Sequence, residues 1–178
     1  MKNVRKYLAA AGLTAAVAAM PITAYGGIFK SAKAESAQAE DVKYEFKSGE
    51  TVIAMGAEAA PAVKALGATT KAVFEADSCA YQGKDKVYTY TGFELTTYPV
   101  NGKDCIASVY FLDETVATPE GIKIGSKAAD VVNVYGNGYN KDEQKFGTYS
   151  YSTDTAELRI YTTKDVVDGV EYLVKAAK

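Results

Sequence analysis

The chain has 178 residues, with 20 basic and 22 acidic side chains, a net charge of −2, 48% hydrophobic residues, two cysteines, no histidine and no tryptophan. That length and apolar content suit one domain with a sizeable core. The lack of histidine takes away the usual base of a hydrolytic triad and the usual partner of cysteine in a metal site. Five of the basic residues and none of the acidic ones lie in residues 1–34, which leaves the remainder at a net charge of −7, a poor surface for nucleic acid.

The N-terminus reads as an export signal. Lys2, Arg5 and Lys6 precede an uncharged, Ala-rich run from Tyr7 to Met20, Pro21 breaks the run, and Ile22-Thr23-Ala24 offers a small-residue cleavage site. Ala32-Lys33-Ala34 is a second candidate cut, and an uncleaved membrane anchor is the competing reading, although the run is short for a span of about 20 residues. No cysteine near the cut supports a lipid anchor. Residues 1–34 are thus taken as signal or anchor with the start of a spacer, 35–42 as a flexible linker rich in Ala, Ser and Glu, and 43–178 as the folded domain.

Within the domain one pattern occurs twice, 69 residues apart: Val52-Ile53-Ala54-Met55-Gly56 with Gly67, and Gly121-Ile122-Lys123-Ile124-Gly125 with Gly136. Each predicts a short helix. Ala59, Ala62, Val63 and Leu66 in the first, and Ala128, Val131, Val132 and Tyr135 in the second, fall at i, i+3, i+4, i+7, which is the stripe of a helix packed on a core. Ser126 is placed to cap the second helix, Pro61 must sit in the first turn of its helix or mark a later start, and the two glycines suit the C′ position. Strand-forming segments follow each helix: 86–91, 93–99 and 105–112 after the first, with Asn101-Gly102 as a hairpin turn, then 147–152, 156–162 and 170–174 after the second, with a turn near 165–169. The expectation is an α+β fold, a tandem duplication of a helical unit plus antiparallel strands, with repeats at about 43–115 and 116–178 and helices packed on one face of the sheet.

Three stretches resemble known proteins: the run Phe74 to Gly83, the run Tyr88 to Glu94, and Thr118 to Ser126 with Tyr135-Gly136. Together they look like uncharacterised secreted proteins of clostridial-type bacteria, whose two-repeat plan resembles that of β-lactamase inhibitory protein. The resemblance spans most of residues 50–175 and implies a fold. The apolar-x-x-Gly lead into each helix is also similar to that of small outer-membrane assembly lipoproteins. Because this chain has no Trp and no His, no inhibitory contact is carried over.

Cys79 and Cys105 are the only cysteines, and export to an oxidising space predicts a disulfide between them; free thiols or a metal pair are the alternatives. Tyrosine is abundant, with 12 of 14 from Tyr44 onward. If Phe93, Leu95, Thr97, Val109, Phe111, Leu158 and Ile160 point at the helices, strand alternation sends Glu94, Thr96, Tyr98, Tyr110, Arg159 and Tyr161 to the opposite face. Those six are the candidate binding residues, since tyrosine supplies contact area at small entropic cost. A solvated face of ordinary strand formers is the alternative. No Gly-x-Ser-x-Gly, phosphate loop or calcium-loop spacing is found, and neither an acid/base pair, a metal site nor a cofactor is assigned. The functional expectation is a secreted or envelope-tethered domain, not an enzyme, that recognises an extracellular or envelope protein, and that meets a membrane only through an uncleaved N-terminal segment. A structural or envelope-assembly role is the alternative.

Overall fold

The computed structural model describes residues 44–175, so the export signal and the linker lie outside the described residues. Twelve elements follow in order: β1 (Glu45–Ser48), β2 (Thr51–Ala54), α1 (Ala59–Leu66), β3 (Phe74–Asp77), β4 (Lys84–Thr89), β5 (Phe93–Val100), β6 (Lys103–Phe111), α2 (Ala128–Tyr135), α3 (Lys141–Gln144), β7 (Thr148–Ser152), β8 (Ala156–Thr163) and β9 (Val166–Val174). Strands β1 and β2 pair as a hairpin. The other seven form one antiparallel sheet in the order β3-β4-β5-β6-β9-β8-β7, so that β6 and β9 join the strands on either side into a continuous surface.

The α+β expectation is corrected. The described residues are mostly β, and the helices among them span eight, eight and four residues. Each four-residue apolar stripe covers only two turns, too short a helix to persist without packing, and the strands carry most of the structure. The expected tandem plan is corrected with it: β1 and β2 precede only α1, α3 follows only α2, and four strands follow α1 against three after α2. Nor do the helices alone cover the sheet. Phe46 of β1 and Ile53 of β2, opposite one another and fully buried, share that task, and the Phe46 ring lies 4.9 Å from Phe93 and 5.1 Å from Phe111.

The local chemistry of the helices is otherwise as the residues require. Pro61 stands third in α1, where a missing N–H costs nothing, and Gly67 and Gly136 end the helices with positive φ and N–H bonds back to Val63 and Val132. Ser126 does not cap α2. Lys127 is the N-cap, and the Ser126 hydroxyl instead accepts from the Lys123 N–H. One pair of backbone bonds ties each helix lead-in to a strand: Gly56 and Ala57 to Ile106 of β6, and Gly125 and Ser126 to Val167 of β9.

The inward alternation places Phe93, Leu95, Thr97, Val109, Phe111, Leu158 and Ile160 in the core, each 2% exposed or less. Four tyrosines join them. Tyr90, Tyr149, Tyr151 and Tyr172 are buried, so much of the tyrosine excess belongs to the interior.

Candidate functional site

The face of the sheet turned away from this core is built by register. Glu94 of β5 lies opposite Tyr110 of β6, Tyr110 opposite Glu171 of β9, Glu171 opposite Arg159 of β8, and Arg159 opposite Ser150 of β7. A second row runs beside it through Thr96, Ser108, Leu173 and Glu157. Because successive residues of a strand alternate between faces, the buried inner set fixes this outer set. Of the six candidates Tyr110 is exposed, while Glu94, Thr96, Tyr98, Arg159 and Tyr161 are half-buried.

Tyr110 and Tyr161 both reach toward one glycine. Gly169 of β9 is the partner of Tyr161, and a Cβ added there would lie 3.0 Å from Tyr161 Cδ2 and 3.3 Å from the Tyr110 hydroxyl. Glycine thereby lets two tyrosine side chains lie across the strand, as at other close approaches in sheets. The polar groups around them are tied together. The Tyr161 hydroxyl donates to Glu171 Oε2 at 2.8 Å, Arg159 forks onto Glu157 at 3.0 and 3.2 Å, and the Thr89 hydroxyl donates to Glu94 Oε1 at 3.1 Å. Burial, followed by the bond to Glu171, pushes the Tyr161 phenol up to about 12. The bond to Glu157 holds the Arg159 guanidinium above its ordinary range.

The structure does not bring all six together. Tyr98 is on the same face but four residues along β5 from Glu94, about 13 Å at the rise of a strand. There its ring lies 5.2 Å from Tyr81 of the β3–β4 loop, its strand partner is Cys105, and burial raises its pKa. Thr96 sits between the two places, opposite Ser108. Residues the sequence reasoning missed are Glu171, Gly169 and the 41% exposed Leu112, whose position two residues past Tyr110 continues the outward alternation. The outward parity of β9 was the signal, interrupted by a bulge that leaves Asp168 unpaired opposite Tyr161 and Thr162, soon after the Lys164-Asp165 turn.

The Cys79–Cys105 bond is corrected: both cysteines are free. Cys79 is exposed in the β3–β4 loop and Cys105 half-buried in β6, with β4 and β5 lying between β3 and β6 in the sheet. Among the described residues no group of three or more His, Cys, Asp or Glu side chains could hold a metal ion, and no helix is long and apolar enough to cross a membrane.

Two clefts open elsewhere, beside the starts of α1 and α2, of about 440 and 470 Å³. The first is bounded by the Lys103–Glu58 and Lys86–Asp104 ion pairs at 2.9 and 2.8 Å. The second has an apolar floor of Ala128, Val132, Tyr149 and Val166 with Lys127, Lys164 and Asp165 around it. Neither contains any of the six candidates.

No family model and no curated protein matches the chain. Among solved structures it is similar to an extracellular protein containing a SCP domain from Bacillus anthracis str. Ames, at 13% identity and a TM-score of 0.49, over 78% of this chain and 49% of that one. The chain thus spans about half the length of the structure it matches, and a likeness this distant carries no argument about its role.

Proposed function

We propose that this is an exported or envelope-tethered binding domain that recognises a protein partner through the outer face of its sheet, acting by binding rather than by catalysis. The observation that carries the reading is the Tyr110–Tyr161 pair laid over Gly169, with Leu112 exposed nearby, on the face opposite the core. Flat aromatic area bordered by glutamate and arginine has the composition of a recognition surface. Export rests on the charged, then apolar, then small-residue order of the N-terminal segment.

The experiment is alanine replacement at Tyr110 and Tyr161, followed by affinity measurement against the partner recovered from the producing cells. At least one replacement is expected to cost more than about 1 kcal/mol in binding, with the melting temperature of the Tyr110→Ala variant unchanged because that side chain is exposed. Unaltered affinity in both would end this reading. A structural or envelope-assembly role is the second reading, favoured by one observation: Tyr161, Glu171, Arg159 and Glu157 already satisfy one another, as a solvated face would.

A further inference from the structure

Tyr110 has a glutamate opposite it on both neighbouring strands, Glu94 on β5 and Glu171 on β9. Residues directly opposite in an antiparallel pair have Cβ atoms about 4.5–5.5 Å apart, so two glutamate side chains spring from either side of one exposed aromatic residue. Each carboxylate is anchored through one oxygen, Glu94 by the Thr89 hydroxyl and Glu171 by the Tyr161 hydroxyl. These bonds hold the two side chains in place, and no hydrogen bond from the described residues engages the other oxygen of either. Neither glutamate is in an ion pair with another described residue. Arg159, although opposite Glu171 in register, turns its guanidinium to Glu157. Carboxylates on the two strands that border an aromatic residue supply the chemistry that holds a cation, by charge-assisted hydrogen bonds and by the ring's negative face.

We infer that the outer face takes a basic segment of its protein partner, with an arginine laid across Tyr110 between Glu94 and Glu171. This rests on the outer face being the binding surface and adds the chemistry of what binds there. Arginine fits better than lysine, because a planar guanidinium stacks on a ring while forking onto carboxylates. The charge of the chain agrees: from residue 35 onward it carries a net charge of −7, which steers a basic partner toward it.

The test is a titration of the isotope-labelled protein with the peptide acetyl-Gly-Arg-Gly-Arg-Gly-amide, followed by amide shifts, beside the same peptide with glutamate in place of arginine. Saturable shifts centred on Glu94, Tyr110 and Glu171 are expected with the arginine peptide only. The double variant E94Q/E171Q, chosen because it preserves shape, should weaken them by at least about fivefold, as should raising NaCl tenfold. Equal binding by the double variant, or shifts scattered over other acidic positions such as Glu75 and Asp142, would overturn the inference. A parallel arm with the envelope-derived partner separates the two readings. If Y110A/Y161A loses the partner while E94Q/E171Q keeps it, the binding face stands and the basic segment falls; if both keep it, both readings fall.

Discussion

The two faces of the seven-stranded sheet come from the same strands and obey opposite rules. On the inner face Leu95, Val109, Phe111, Leu158, Ile160 and Tyr172 are fully buried beneath Phe46 and Ile53, and shape governs what can stand there. On the outer face Glu94, Tyr110, Glu171 and Arg159 stand at the same strand positions shifted by one residue and partly exposed, with Glu94 bonded to Thr89, Glu171 to Tyr161 and Arg159 to Glu157. The comparison teaches that period-two alternation builds both a core and a chemically free surface at once. The first carries most of the stability.

The sharpest way to break the comparison is to truncate one side chain on each face. Phe46→Ala removes a ring that touches Phe93, Phe111 and Tyr172, and should destabilise by about 3–5 kcal/mol, read from chemical denaturation. Gly169→Ala comes next. The added methyl must displace the Tyr161 ring, 3.0 Å away, so a loss of about 1–2 kcal/mol and altered tyrosine fluorescence are expected. Tyr110→Ala should shift stability by no more than about 0.5 kcal/mol, since the side chain is 38% exposed. A large effect there would mean that the outer face is structural.

Alkaline titration sharpens the same contrast. The neutral Tyr161 phenol is favoured in the folded state by burial and by its bond to Glu171, and its pKa rises from 10.0 to about 12. Its contribution to stability is therefore complete below pH 10 and is lost as the pH climbs from 10 toward 12, because the unfolded chain ionises first. Tyr161→Phe should make the decline in denaturation midpoint over that window less steep. Part of the decline must remain, since burial also raises the buried Tyr151 and Tyr172 and the half-buried Tyr135. The smallest effect concerns the thiols: titration of the unreduced, unfolded protein should find two reactive groups, with Cys79 reacting before Cys105 in the folded state.

Legibility followed local rules. The strand alternation of 93–99, 105–112 and 156–162 named the buried set correctly, because one buried face dictates parity, and Asn101-Gly102 made the β5–β6 turn, both residues having positive φ. The turn before β9 was displaced. Lys164 and Asp165 also adopt positive φ, 51° and 63°, a conformation that Asp tolerates but Lys seldom takes, and the strand accordingly begins at Val166 rather than at 170. The hairpin of β1 and β2 was hidden because each strand has only four residues, too few for a period to emerge. The fold class was misjudged by giving two-turn stripes the weight of full helices. On the candidate site, alternation found the face but not its focus. Tyr98 and Tyr110 look equivalent in sequence, and only the strand order, which lays Gly169 beside Tyr110 and Tyr81 beside Tyr98, separates them.

The central claim is that one face builds the fold and the other meets a partner. Hydroxyl-radical labelling of the protein with and without an envelope fraction of the producing cells addresses it directly, because tyrosine and leucine side chains report their own exposure. The account predicts that Tyr110, Leu112 and Tyr161 become protected together while the exposed Phe74 and Phe146 at the sheet's periphery do not. Protection at Phe74 or Phe146 with Tyr110 unchanged, or no protection anywhere, would contradict it.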